Sequence, residues 1–297
     1  MAEKVLVSGS SGLIGAALIP VLTASGYTVT RLVRGGAGQD RVRWDPAKPL
    51  TPASVSGFDA VVHLAGESIV GRWTEAKKAA IRDSRLSGTR NLVEALAGAA
   101  QRPRVLVCAS AIGYYGDRGE EVLREESASG TGFLADVCRR WESAAKPASD
   151  AGIRTVQTRF GIVLSSQGGA LAKMLTPFGL GIGGNMGSGR QWWSWIDLQD
   201  VVGGIVHILN KESLRGPVNF VSPNPVTNAD FTKTLAAVLS RPAIFPMPAF
   251  VARLAVGEMA DELLLSSQRV EPAKLLASGY SFQWPDLRQS LQAILKK

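Results

Sequence analysis

Three glycines, Gly9, Gly12 and Gly15, stand between an apolar run at Val5–Val7 and an apolar helical pattern through Leu18, Ile19 and Leu22. The run reads as a buried parallel strand, so the glycines fall where a strand turns into a helix. That arrangement can hold phosphate. The first glycine permits the tight turn, the second lets backbone approach a pyrophosphate, and the third lets helix pack on strand. The free N–H groups and dipole of the helix N-terminus then face the negative charge. The spacing is G-x-x-G-x-x-G, where the commoner fingerprint is G-x-G-x-x-G. Its place near the start of the chain, between strand and helix, points to a dinucleotide site.

The next strand bears on which dinucleotide. Gly26 is a candidate helix cap, and Tyr27–Arg34 reads as strand two. NAD-preferring sites place Asp or Glu at the end of this strand, to accept bonds from the ribose hydroxyls. Here the end carries Val33 and Arg34, with Arg31 upstream and Arg41 and Arg43 beyond. A guanidinium there suits a 2′-phosphate, which predicts NADP(H) with Arg34 as the main phosphate clamp. The alternative is that Arg31 and Arg34 are solvated strand-end charges. Pro20 falls inside the first helix, where it costs about 3 kcal/mol unless the helix kinks.

A length of 297 residues suffices for one large domain or two moderate ones. Hydrophobic content of 45% with 20% charged residues describes a soluble globular chain. No apolar run approaches the length of a membrane span, and the first strand begins too early to leave room for a signal peptide. Cys108 and Cys138 are isolated and read as reduced core thiols, so a cytoplasmic protein is expected. Two histidines all but exclude a histidine metal site, and no metal is expected. The net charge of +8 is spread out, with no basic run of five. A phosphate-bearing cofactor and an acidic substrate account for it as well as nucleic acid would, so an RNA-binding role rests on net charge alone.

The remaining elements alternate. Phe58–Gly66 is a buried strand ending in small residues, Trp73–Leu96 is a long helix interrupted near Gly88, and Arg104–Ser110 is another strand. A helix over Gly132–Ala151 and a strand over Arg154–Leu164 follow. This alternation predicts an α/β, Rossmann-type, doubly wound parallel sheet. Residues 1–165 form the expected dinucleotide domain. Residues 166–297 form a smaller, partly interleaved substrate lobe, with segments around 190–222 returning to the first domain. In the lobe, glycines cluster at 168–169, 179–184 and 187–189 beside Trp192, Trp193 and Trp195. Those tryptophans suit either a substrate pocket or packing. Asp197–Asn210 reads as a helix and Val218–Val221 as a strand. Asn228, or Thr227 with Asp230, caps a helix over Ala229–Leu239. Glu258–Leu276 reads as helical, and Pro285–Leu295 as a terminal amphipathic helix.

Several stretches together resemble the extended short-chain dehydrogenase/reductase superfamily. They are Gly9–Gly15, Asp59-Ala-Val-Val-His-Leu-Ala65, Gly88-Thr-Arg-Asn-Leu-Val-Glu-Ala95, and Ala109-Ser110 followed by Tyr114-Tyr-Gly116. More narrowly, Ser84-Arg-Leu, Ile112-Gly-Tyr-Tyr-Gly, Trp141-Glu, Gly179–Gly184, Gly187-Ser-Gly, Trp195-Ile and Thr227-Asn-Ala-Asp-Phe look like one atypical branch. Its members are NAD-dependent epimerase/dehydratase-like proteins, sometimes labelled cell-division inhibitors, and the likeness names no substrate. The resemblance implies NADP(H) contacts from Gly9, Ser10, Ser11, Gly12, Leu13, Ile14 and Gly15. It implies further contacts from Val33, Arg34, Leu64, Ala65, Gly66, Arg85 and Val163.

The departures concern the chemistry. The superfamily uses Ser or Thr with a Tyr-x-x-x-Lys pair to exchange a proton while hydride moves to or from nicotinamide. Here the corresponding helix carries Phe133 and Val137, neither of which transfers a proton, and Arg85 replaces an asparagine. Ser110 keeps the place of the hydroxyl that bonds a substrate carbonyl, or else it caps a strand end. Tyr114 is a substitute acid or stacks beside the cofactor. Arg85 neutralises phosphate, fixes a substrate carboxylate, or forms a helix-surface salt bridge. Glu142 reads as a solvated helix residue, and Cys138 lacks a thiolate-stabilising base. The expected function is an NADP(H)-dependent oxidoreductase or epimerase acting on a small carbonyl, alcohol or sugar nucleotide, as monomer or homodimer. The rival is a non-catalytic NADP(H) sensor.

Overall fold

The structure, a computed structural model, describes residues 2–36 and 38–295. In chain order the first half comprises β1 (Lys4–Ser8), α1 (Leu13–Ala24), β2 (Thr28–Val33), β3 (Arg41–Arg43), β4 (Ala60–His63), α2 (Glu75–Ala97) and β5 (Val105–Ala111). Then come β6 (Val122–Leu123), α3 (Phe133–Ala144), α4 (Lys146–Asp150), β7 (Arg154–Phe160), β8 (Ile162–Leu164) and α5 (Gly169–Gly179). The rest is β9 (Trp192–Trp193), β10 (Trp195–Asp197), α6 (Leu198–Asn210), β11 (Gly216–Phe220), β12 (Val226–Thr227), α7 (Asn228–Leu239), α8 (Ala249–Val256), β13 (Arg269–Val270), α9 (Ala273–Ala277) and α10 (Leu287–Leu295).

Seven strands form one parallel sheet in the order β11-β7-β5-β4-β1-β2-β3. Strands β1, β4 and β5 are apolar on both faces because helices cover both. Val5, Val7, Val62 and Val107 pack against α1 and α6 on one side; Leu6, Val61 and Leu106 pack beneath α2 and α4 on the other. The strand order reverses between β1 and β4, which opens a crevice at their carboxyl ends. This is the doubly wound Rossmann architecture. A third apolar cluster joins α5, α7 and α10 around Trp193, Trp195 and Phe231, so packing is the use of those two tryptophans. Trp192 is half-buried, with Arg269 over its ring at 4.3 Å. Among the described residues no helix is long and apolar enough to cross a membrane.

Local pattern misplaced several boundaries. Helix α1 runs on through Pro20, whose ring lies on the exposed side. Helix α2 is unbroken at Gly88, which is buried where Pro46 and Trp44 approach the backbone; an added Cβ would lie 3.5 Å from Pro46. The run Arg154–Leu164 splits at Gly161, where the Ser194 carbonyl comes so close that a Cβ would stand 2.5 Å from its oxygen. Beyond the split, β8 leaves the main sheet to pair with β10. The helix expected over 132–151 divides into α3 and α4, with Pro147 in the first turn of α4. The stretch 258–276 is helical only in part: a π-helix at Ala260–Leu264 gives way to β13, which pairs with β6, and then to α9. There long-range pairing overrides local propensity. Thr227 caps α7, accepting from the Asp230 N–H at 3.1 Å.

Candidate functional site

The turn after β1 is built so tightly that two glycines are obligatory. Gly9 adopts φ +68°, and a Cβ on it would lie 2.6 Å from the Leu64 carbonyl carbon. A Cβ on Gly15 would lie 2.3 Å from the Gly9 carbonyl oxygen, so helix and turn are in direct contact. Gly12 is different: its Cβ would meet only Gly9 O, at 3.3 Å. A side chain there would need the turn to give by only a few tenths of an ångström, so the demand for glycine is weaker than at Gly9 and Gly15. Gly12 begins α1 with no capping side chain and no acid in the first turn. The first N–H groups of that helix, at Leu13, Ile14 and Gly15, are therefore unsatisfied donors beside a positive dipole end. Ser10 and Ser11 flank them, and their hydroxyls bond to no described residue. The Leu13 side chain reaches the turn after β8, 3.5 Å from a Cβ placed on Gly168, so the glycine loop and the Val163 segment share one crevice.

The far wall of the crevice is the end of β4. Leu64 and Ala65 point their N–H groups at Ser8 Oγ (3.2 and 3.4 Å), and Ser8 Oγ lies 2.6 Å from His63 Nδ1. His63 Nε2 meets Thr89 Oγ1 at 3.0 Å, which also accepts from Trp141 Nε1 at 2.9 Å. Because Ser8 Oγ already receives two N–H groups, its own proton goes to Nδ1, which assigns the histidine proton to Nε2. Burial lowers the His63 pKa to about 4, so the ring is a neutral spacer that fixes β4 against β1.

Two cations border this wall. Arg34 is exposed after β2, beside the half-buried Val33, and has no ion-pair partner among the described residues. Its neighbours differ, since Asp40 lies 3.8 Å from both Arg31 and Arg41. Arg85 lies under Gly66, its guanidinium carbon 3.3 Å from where a Gly66 Cβ would be. It donates to the carbonyls of Glu67 and Ile81 (3.0 and 3.1 Å) and sits 5.0 Å from the Trp141 ring. Burial pulls its pKa below the ordinary arginine value, and no described carboxylate lies within salt-bridge reach. The helix-surface salt bridge considered for Arg85 is absent.

The other half of the crevice is filled by the protein's own side chains. Phe133 packs edge-on against Trp73 at 5.2 Å within a cluster that includes Leu134 and Met259. The N-terminus of α3 has no local cap; Glu262, from the π-helix of the C-terminal region, accepts from the N–H groups of Phe133 and Leu134 at 2.7 and 2.8 Å. Lys78 lies over the Phe133 ring and pairs with Glu258. Cys138 is buried, and its thiol is pushed up to about 12, first by burial and then by Glu142, so it is no nucleophile.

Ser110, at the end of β5, is 2% exposed and donates to Glu142 Oε1 at 2.7 Å. Glu142 is not a solvated helix residue, as its place late in a helix suggested. Its carboxylate receives Arg159 Nε at 2.8 Å and Nη2 at 2.9 Å, a two-pronged pair in which Arg159 is 2% exposed. Arg159 Nη1 donates to Tyr115 Oη (2.8 Å), and Tyr115 donates to Asn219 Oδ1 (2.7 Å). The guanidinium carbon lies over the ring of the half-buried Tyr114, 3.5 Å from its centre. The Tyr114 hydroxyl has no hydrogen bond to any described residue. Burial pushes the Tyr115 phenol up to about 12, so it stays neutral. The sequence did carry one clue to this network: Arg159, well inside the buried strand β7, demands an acid.

Comparison with known proteins gives a consistent picture. The sequence profile of the NAD dependent epimerase/dehydratase family matches residues 5–221, and that of a domain of unknown function matches residues 247–294. An epimerase family protein of Mycobacterium bovis is 42% identical over 97% of this chain and 96% of its own length. The human epimerase family protein SDR39U1 is 38% identical over 98% and 99%. The crystal structure of that human protein (isoform 2) with NADPH aligns with a TM-score of 0.92 at 36% identity, covering 99% of each chain. A nucleoside-diphosphate sugar epimerase from Corynebacterium glutamicum aligns at 0.84 and 38%, covering 99% of this chain and 58% of that one.

Proposed function

This chain belongs to the NAD dependent epimerase/dehydratase family, and from that premise we propose that it binds NADP(H) and acts on a small carbonyl or alcohol compound, sugar nucleotides included. One observation carries the cofactor assignment: an uncapped helix N-terminus behind two obligatory glycines, with an acid-free guanidinium at the end of the next strand. The diphosphate would rest on the N–H groups of Leu13, Ile14 and Gly15, with Gly12 giving clearance. Arg34 would take the 2′-phosphate, Leu64, Ala65 and Gly66 would line the opposite wall, and Val163 would face the nicotinamide end. Arg85 would add charge beneath Gly66. The relative crystallised with NADPH supports the same assignment. A cytoplasmic setting is part of this proposal and rests on two unpaired thiols.

A bound nicotinamide supplies or accepts hydride. The chain's own part is to orient a carbonyl and hold a proton. Ser110 would turn its hydroxyl from Glu142 to the substrate oxygen, while Glu142 stays fixed by Arg159. Tyr114, with that guanidinium over its ring and its hydroxyl unengaged, or a water would supply the proton. A second reading has its own support. With Phe133 packed on Trp73 and Glu262 over the α3 N-terminus, the usual acid–base position is closed, which suits a non-catalytic NADP(H) sensor.

NADPH oxidation across a panel of carbonyl compounds separates the two. The enzyme assignment predicts turnover that falls at least tenfold in Ser110→Ala and in Tyr114→Phe. Turnover indifferent to both removes those roles, and tight NADPH binding without turnover favours the sensor.

A further inference from the structure

Most of the large apolar side chains that the fold leaves exposed gather in one region. The loop after α5 and the segment leading into α8 run side by side. Phe245 donates its N–H to the Gly183 carbonyl at 3.1 Å, Met247 donates to that of Asn185 at 2.8 Å, and Gly187 donates to that of Met247 at 2.9 Å. A Cβ on Gly184 would lie 2.1 Å from the Phe245 carbonyl oxygen, so the two backbones are in direct contact. This ribbon leaves Leu180, Ile182, Ile244 and Phe245 exposed, and α8 continues it with Phe250 and Leu254. Those last two stand one turn apart, on the helix face opposite the buried Ala252.

A single exposed apolar side chain is ordinary, whereas a group of them marks a surface that meets a partner. Leu180, Ile244, Phe250 and Leu254 are 69–75% exposed. Side chains that line a groove are partly covered by its other wall, but these project. Projection fits a soft apolar medium that closes around them.

Charge narrows the partner further. From Ser165 to Ile196 and from Phe231 to Gly257 the chain has no Asp or Glu. Both segments carry cations. Lys173, Arg190 and Arg241 are exposed, and none makes an ion pair with a described residue. The acids just beyond α8 are already engaged: Glu258 by Lys78, Asp261 by Arg253, and Glu262 by the α3 amides. A second copy of this chain would set like charges face to face, which counts against self-association. Apolar tips among unpaired cations suit an anionic lipid surface instead.

We propose that the ribbon and α8 form a peripheral docking surface for an anionic lipid bilayer. Leu180, Ile244, Phe250 and Leu254 enter the apolar boundary, and Lys173, Arg190 and Arg241 meet the lipid phosphates. Such a contact lies on the membrane and needs no spanning helix. It does not depend on the cofactor assignment.

The test is co-sedimentation of the full chain, at fixed moderate ionic strength, with vesicles of phosphatidylcholine alone or mixed equally with phosphatidylglycerol. The expected result is saturable binding to the mixed vesicles and at least tenfold weaker binding to the neutral ones. Phe250→Asp combined with Leu254→Asp should lower affinity at least tenfold, and Lys173→Gln combined with Arg241→Gln several-fold. Both variants should keep the wild-type urea midpoint, since all four side chains are exposed. Absence of binding to the mixed vesicles, equal binding to neutral ones, or binding that survives the paired Asp changes would each overturn the surface. So would a dimer in sedimentation equilibrium that the paired Asp changes dissociate, which would assign the face to a second copy.

Discussion

The two halves of the crevice keep their cations in opposite ways. On the glycine-loop side, Arg34 and Arg85 have no acidic partner among the described residues, and the α1 N-terminus has no cap. On the Phe133 side, Arg159 is locked by Glu142, Lys78 by Glu258, and the α3 N-terminus by Glu262. A charge left without a counterion inside a fold is a cost unless something arrives to meet it, whereas a charge already met is architecture. The first half carries the cations to which the proposed function gives an anion. The second holds its cations in packing and ion pairs.

The contrast can be broken first at its tightest contact. Glu142→Ala leaves Arg159 buried without its acid and should cost about 3–5 kcal/mol of unfolding free energy by urea titration. Arg34→Ala should leave that quantity within about 0.5 kcal/mol of the wild type. A comparable loss from both would erase the distinction. On the glycine side, Gly15→Ala forces a Cβ to within 2.3 Å of Gly9 O. It should destabilise by about 1–3 kcal/mol and remove NADPH binding, while Gly12→Ala folds normally and only weakens binding. Identical behaviour of the two variants would mean that turn and ligand contacts were wrongly separated.

His63 tests the wall between the halves. Its folded pKa of about 4 lies below the ordinary 6.5, so the unfolded chain binds more protons in between. Stability is therefore full above about pH 6.5, falls as pH drops, and levels off below about 4. From pH 7.5 to pH 5 the loss attributable to this one ring is about 2 kcal/mol. A flat urea midpoint over that window would contradict a buried, neutral His63. Smallest is the cap from the C-terminal region: Glu262→Ala should cost about 1 kcal/mol and loosen protection of the Phe133 and Leu134 amides in hydrogen exchange. Unchanged protection there would show that Glu262 does not hold α3.

What the sequence disclosed follows from how local each cause is. Gly9 and Gly15 were legible because a strand, a turn and a helix follow one another within a dozen residues. The acid-free end of β2 was legible for the same reason. The role of Glu142 is not legible, because its partners Ser110 and Arg159 arrive from strands β5 and β7, and helical position alone says nothing of what lies opposite. Glu262 was not visible as a cap at all, being 129 residues from the amide it bonds. The stretch 258–276 looks helical throughout in the sequence because β6, the partner of β13, lies far upstream.

The central claim is that the glycine loop and Arg34 form an NADP(H) cradle. Equilibrium titration of NADPH and NADH fluorescence against the wild type and Arg34→Ala tests it most directly. The account predicts NADPH bound about tenfold or more tighter than NADH, with that preference collapsing in Arg34→Ala while NADH affinity holds, as loss of a charge-assisted contact worth about 1.5–3 kcal/mol would produce. Equal affinities in the wild type, an unchanged preference in the variant, or no binding of either coenzyme would contradict it.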